Sequence, residues 1–195
     1  SIAYNVSSQM YLYRRQYKEE ISELERALSL DPNDPSCHQS MGFALSMAGR
    51  PKEAIEYINK GMRLDPHNPS RYLALLGMAH FCMGNLQKAA SSSEKALRQN
   101  PENVSMGFQV AAFYGLMGRD QEAQTTLKTV RKKVLGSINT GNVRDLMFLK
   151  PFKDRTVADR YVEGLVKAGM PGQPSKYLSA FKENQLTGEK IKALL

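Results

Sequence analysis

The chain has 195 residues, 42% hydrophobic and 24% charged, with two Cys, no Trp and a net charge of +8. That is ordinary for one sizeable globular domain, and no window approaches the roughly 18 uninterrupted apolar residues of a membrane span. Residues 1–130 hold 14 Lys+Arg against 13 Asp+Glu, whereas residues 131–195 hold 13 against 6, so a nearly neutral body carries a basic tail.

No secretory signal is visible at the start, and Ser1 already stands at the first position of a repeat. This predicts a fragment of a longer polypeptide. Residues 1–34 read as a helical hairpin with polar Ser7-Ser8 at the packing position and a turn, Arg14-Arg15-Gln16-Tyr17, that lacks Gly. Ends of helical arrays are often atypical, so this unit either caps the array or once had an upstream neighbour. Pro32 cannot continue a helix, and Asp34-Pro35 supplies an N-cap with Pro in the first turn of the next one.

Residues 35–68 hold the clearest unit. Met41, Gly42 and Leu45 fall at helical spacing, a Gly49-Arg50-Pro51 break follows, and Ala54, Ile58 and Gly61 repeat the spacing before Asp65-Pro66. A mid-helix Gly costs about 1 kcal/mol relative to Ala, so Gly42 needs a reason, and two closely crossing helices supply one. A hairpin this small cannot bury both faces alone and needs copies of itself. Sliding 35 residues downstream puts Gly77, Gly84, Ala89, Ala96 and Pro101 under Gly42, Gly49, Ala54, Gly61 and Pro66. Another 34 residues bring Ala111, Gly118, Ala123 and Val130 to those places. Upstream, Ala27 and Pro32 match, while Ser8 and Glu20 replace the first-helix Gly and the second-helix Ala. Asn68-Pro69 and Asn100-Pro101 repeat the helix-start device of Asp34-Pro35.

These marks together resemble the tetratricopeptide repeat family. The resemblance covers about residues 1–137 and implies an all-α, right-handed superhelical solenoid of four hairpins, at 1–34, 35–68, 70–103 and 104–137. The family's bulky aromatic near the start of the first helix survives only as Tyr4, with His38, Leu73 and Gly107 in its place elsewhere.

The last hairpin ends in Arg131-Lys132-Lys133. The helix dipole favours cations there by a few tenths of a kcal/mol. A phosphate- or nucleic-acid-binding patch is the alternative, although no base-stacking aromatics are interleaved. After Gly136 the period is lost, and residues 138–195 read as a helical extension packed on the array. It holds a loop at Asn139–Asn142, a short helix at Arg144–Leu149 and an amphipathic helix at Arg155–Ala168, with Val157, Tyr161, Leu165 and Val166 near one side. Gly169-Met170-Pro171-Gly172 stops that helix, and two short helices follow, the last capped by Thr187. Pro151-Phe152-Lys153-Asp154, the run Gly164-Leu165-Val166-Lys167-Ala168-Gly169-Met170-Pro171 and the terminal NQLTGEKIKALL stretch form a second resemblance. It is to the region downstream of repeat arrays in bacterial multidomain proteins that carry a class III adenylate or guanylate cyclase domain. It implies a non-catalytic part of a signalling enzyme, because the chain has no α/β pattern and no paired aspartates on strands.

No enzyme, metal or cofactor is expected. His38, His67 and His80 are scattered, no Cys-x-x-Cys or His-x-x-x-His pair exists, and the glycines mark turns and helix contacts. Cys37 and Cys82 read as reduced thiols of a cytoplasmic protein. Function is left to the surface. The family resemblance implies that first helices line a concave groove that takes peptides. The groove positions are Asn5, Gln9 and Leu12; Gln39, Phe43 and Ser46; Arg71, Ala74, Met78 and Phe81; and Phe108, Gln109 and Ala112. Phe43, Met78, Phe81 and Phe108 form a candidate apolar stripe, with Asn5, Gln9, Gln39, Arg71 and Gln109 reading a backbone or a carboxylate. A protein or peptide ligand, the chain's own C-terminal helices, or self-association could each cover that stripe. Two rival functions remain. One is nucleic-acid or anionic-surface binding through Arg131, Lys132, Lys133, Lys150, Lys153, Lys190 and Lys192, and the other is regulation of a cyclase domain in cis.

Overall fold

The helix starts follow from local chemistry. In a computed structural model describing residues 15–134 and 151–171, every regular element is a helix. Helix α1 is Tyr17–Leu30, α2 Pro35–Met47, α3 Pro51–Leu64 and α4 Pro69–Cys82. Helices α5 (Leu86–Gln99), α6 (Val104–Leu116), α7 (Asp120–Val134) and α8 (Arg155–Lys167) complete the described set. The expected first helix of the first hairpin, the short helix at 144–149 and the helices after residue 171 lie outside the described residues.

Asp34 starts α2 by accepting from the N–H groups of Ser36 at 2.8 Å and Cys37 at 3.2 Å, with Pro35 in the first turn. Asn68 precedes α4, but its amide donates to Asp65 and makes no side-chain cap bond. The cap of α6 is Asn103, whose side chain accepts from the Met106 N–H at 3.0 Å. Asn100, read from sequence as the start, instead closes α5. Pro101 sits in the turn before α6 and not in its first turn. At the hairpin turns Gly49, Gly84 and Gly118 have φ of +82°, +79° and +71°, where a Cβ is strained. Arg15 takes φ +57° at the matching place before α1, at a cost of about 1 kcal/mol that the glycines avoid.

The three hairpins described in full close at small residues. A Cβ on Gly42 would run into the Ile58 side chain, and one on Gly77 would lie 3.0 Å from the Ala89 carbonyl oxygen and overlap the Ser93 hydroxyl. Ala54, Ala89 and Ala123 are fully buried on the opposing helices. Between hairpins, Gly61 makes room for Tyr72 and His38. His38 does fill the place of the missing aromatic. It is buried, its ring 5.7 Å from Tyr57 and its Nε2 2.9 Å from the Pro32 carbonyl oxygen. A polar tie joins the last two hairpins: the Gln109 amide donates to the Ala74 carbonyl and to the Ser93 hydroxyl, both at 2.8 Å.

Helix α8 falls where the amphipathic spacing placed it. Asp154 accepts from the Thr156 N–H at 2.8 Å, and Gly169 with φ +95° ends the helix. It packs across α6, where Gly164 and Gly115 face each other so closely that a Cβ on either would overlap the other helix's backbone. No helix among the described residues is long and apolar enough to cross a membrane.

Candidate functional site: the first-helix face and its strap

Along α4, Arg71, Ala74, Met78 and Phe81 recur at three- and four-residue steps and so share one side of the helix. Their exposure falls steadily along that stripe. Arg71 is exposed and Ala74 half-buried, but Met78 is 1% and Phe81 0% exposed. On α2, Gln39 and Phe43 are half-buried, whereas Ser46 is buried and donates to the Gly42 carbonyl at 2.8 Å. On α6, Phe108, Gln109 and Ala112 are all buried. Asn5, Gln9 and Leu12 lie outside the described residues.

The covered end is covered by the chain itself. The Tyr17 hydroxyl donates to the Pro151 carbonyl at 2.8 Å, and the Lys153 N–H donates to the Met47 carbonyl at the end of α2, also at 2.8 Å. Phe152 then reaches Phe81, ring centroids 6.3 Å apart, and Tyr161 stands edge-on to Phe81 at 5.9 Å and to Phe113 at 6.3 Å. Phe81 and Phe113 stack at 4.9 Å. Edge-on and stacked pairs are the favoured aromatic geometries, worth about 0.5–1.5 kcal/mol each beyond the area they bury. Complete burial pushes the Tyr161 hydroxyl far above its ordinary range, and the Arg160 guanidinium lies 5.4 Å from the centre of the Phe81 ring. Residues 151–171 thus form a strap that meets α1, α2, α4 and α6 in turn.

Several sequence expectations change accordingly. Met78, Phe81 and Phe108 do not stand free as ligand anchors, because all three are in the core. Gln109 does not read a ligand, because its amide holds α4, α5 and α6 together. Ala112 lies beneath Gly164. Gln39, Phe43, Arg71 and Ala74 keep accessible surface at the open end of the face. The signal for the strap was Gly164 itself. The rule that made Gly42 a close-crossing residue applies equally to a glycine beside Tyr161, Leu165 and Ala168, all buried.

The residues that carry the cyclase-region resemblance have structural duties here. Phe152, Leu165, Ala168 and Met170 are buried, Asp154 caps the helix, Gly164 permits the crossing and Gly169 ends it. Of the basic tail, the Lys133 amine is paired with Glu102 and donates to the Pro101 carbonyl. Arg131 and Lys132 are exposed in the last turn of α7, and Lys150, Lys190 and Lys192 lie outside the described residues.

Among the described residues no group of His, Cys, Asp and Glu could hold a metal ion. The Cys37 thiol is pushed up to about 11, first by burial and then by the Asp34 carboxylate 3.3 Å away, so it stays protonated and a poor nucleophile at neutral pH. Half-buried His80 has its pKa lowered by burial, with Lys88 adding to the effect, and is neutral at pH 7. Nothing in this arrangement points to covalent chemistry. What it offers is a surface.

The sequence matches the tetratricopeptide repeat family over residues 11–79 and again over residues 70–103. No curated protein matches it significantly. Among solved structures it is similar to a thermophilic TPR protein of Thermus thermophilus, with TM-score 0.63 and 21% identity over 91% of this chain and 96% of that one. PilW, a type IV pilus biogenesis factor, gives TM-score 0.62 and 19% identity over 100% of this chain and 82% of its own. YrrB, described as a TPR protein with an unusual peptide-binding site, gives TM-score 0.51 and 19% identity over 93% and 92%. Identities this low speak for the fold alone. Residues 11–103 are therefore tetratricopeptide repeats, and the chain has the helical-solenoid fold of tetratricopeptide repeat proteins.

Proposed function

We propose that the chain is a non-catalytic interaction scaffold that binds a peptide or protein segment at the open end of its first-helix face. The supporting observation is the gradient of exposure along that face. Gln39 and Phe43 on α2 and Arg71 and Ala74 on α4 keep accessible surface, with Gln39 and Ala74 at matching places, while the other end is filled by the strap. An exposed guanidinium offers paired N–H donors to a carboxylate, and half-buried Phe43 offers an apolar contact on the neighbouring first helix. Asn5, Gln9 and Leu12 would continue the row from the first hairpin. A peptide-binding site described for YrrB, on the same fold, supports the class of ligand.

The test is selection of binding peptides from a random displayed library with the wild-type chain. Arg71→Ala and Phe43→Ala are expected to weaken the selected peptides at least tenfold, about 1.4 kcal/mol, while each melts within about 3 °C of wild type. A library that enriches nothing, or peptides indifferent to both substitutions, would refute this reading. Regulation of a cyclase domain in cis is a second reading, supported by the Pro151–Pro171 pattern. It is decided by whether the same reading frame encodes such a domain.

A further inference from the structure

We propose that the outer side of the last two hairpins, formed by α5 and α7, binds the phosphate backbone of double-stranded nucleic acid without reading its sequence. This site stands on second helices, goes beyond the peptide binding of the first-helix face and does not depend on it.

Charge is the first support. Net charge over the second helices rises from −2 in α1 through +1 in α3 to +2 in each of α5 and α7. The cations of that end lie in the later turns, Lys95 and Arg98 on α5 and Lys128, Arg131 and Lys132 on α7, and all five are exposed. Helix α7 runs alongside α5: Arg119, just before it, bridges to Glu94 at 2.9 Å, and Lys133 near its end bridges to Glu102, just past α5, at 2.8 Å. Those bridges also occupy the acids of this side, and Arg119 holds Glu122 as well. Asp120 is left in the first turn of α7, at the opposite end from the cations. Arg98 only approaches Glu94, at 3.8 Å, and Lys95, Lys128, Arg131 and Lys132 have no ion pair among the described residues. The helix dipole does not account for this set. Its effect fades beyond the last turn, whereas Lys95 and Lys128 stand before that turn, and α1 ends without any cation.

What surrounds these cations selects the partner. Every exposed side chain described on α5 and α7 is polar or charged, Ser91, Gln99, Gln124 and Thr129 among them. Hydroxyls, amides and cations are the side-chain groups that donate to phosphate oxygens. A lipid surface would call for apolar side chains that insert among the cations, and neither helix exposes one among its described residues. A single strand would call for aromatic rings on which bases stack, and neither helix contains one. The polyphosphate that fits is the duplex, held from outside through its backbone.

The probe is a short fluorescein-labelled DNA duplex of arbitrary sequence, titrated with the full chain and followed by fluorescence anisotropy. Binding is expected at about 50 mM salt, with the logarithm of the association constant falling against that of salt at a slope of about −4.5, as neutralising about five phosphates requires. Lys128→Gln with Lys132→Gln is expected to weaken binding at least tenfold and to flatten the slope by about 2, with an unchanged thermal melt. Lys18→Gln with Lys52→Gln removes as much charge from α1 and α3, and is expected to leave affinity and slope as they were. Absence of binding at about 50 mM salt would overturn the proposal. So would equal losses from the two pairs, or a loss from Lys150→Gln with Lys190→Gln and Lys192→Gln that the α7 pair does not cause. Tighter binding to a single strand of the same length, or to vesicles of phosphatidylserine and phosphatidylcholine, would point to a different partner and overturn it as well.

Discussion

Phe81→Ala is expected to destabilise the chain by about 3–5 kcal/mol, the range for deleting a buried aromatic ring. For a chain of this size that is a fall in Tm of roughly 6–20 °C. Phe81 is fully buried and meets Phe113 at 4.9 Å, Tyr161 at 5.9 Å and Phe152 at 6.3 Å, so its removal opens a cavity lined by three rings from two parts of the chain. Half-buried Phe43, on the same stripe pattern one hairpin earlier, is expected to cost far less. Thermal melts followed by circular dichroism separate the two. A Phe81→Ala melt within about 2 °C of wild type would mean that the ring has no packing duty and is free to act as a ligand anchor.

Gly77→Leu is expected to be comparably damaging. The new side chain would begin 3.0 Å from the Ala89 carbonyl oxygen and 3.1 Å from the Gln109 amide nitrogen, and would overlap the Ser93 hydroxyl. A backbone carbonyl cannot swing aside, so α4 and α5 must separate. Overpacking of this kind costs about 1–3 kcal/mol, and breaking the buried tie of Gln109 to Ala74 and Ser93 adds about 1–3 kcal/mol. Gly118→Ala is the control. Nothing lies within 4 Å of its added Cβ, and the loss is only the strain of a side chain at φ +71°, about 1 kcal/mol. Urea melts of the two variants with equal transition midpoints would show that α4 and α5 do not cross closely at Gly77.

The hairpins were legible because their marks answer local steric demands. Gly49, Gly84 and Gly118 each supply a left-handed turn, and Gly42 and Gly77 each permit a close crossing, so the same residue types return every 34 or 35 positions. Asp34 and Pro35 were readable for the same reason. Asn100 misled because proline in a turn and proline in a first helical turn look alike in sequence, and the cap fell three residues later at Asn103.

The face was legible as a face, but not its covering. Spacing puts Met78 and Phe81 on one side of α4, and that spacing is the same whether a foreign peptide or the chain's own Phe152 and Tyr161 lies on top. Gln109 misled for a related reason. Its partners, Ala74 and Ser93, lie 35 and 16 residues away, and no local pattern links an amide to a carbonyl two helices distant. Glu20 visibly departs from the alanine the repeat expects, but that it is fully buried is revealed only by the packed structure. In each case the missing information is long-range contact, which periodicity along one helix does not carry.

A double-mutant cycle between Phe81 and Tyr161 tests most directly whether the strap lies on the first-helix face. The residues are 80 positions apart in sequence, and their ring centroids stand 5.9 Å apart only if residues 151–171 cross the end of α4. Unfolding free energies of Phe81→Ala, Tyr161→Ala and the double variant are expected to show a coupling of about 0.5–1.5 kcal/mol, the value of an aromatic pair in edge-on contact. Losses that add within about 0.3–0.5 kcal/mol, as they do for residues that never meet, would contradict it.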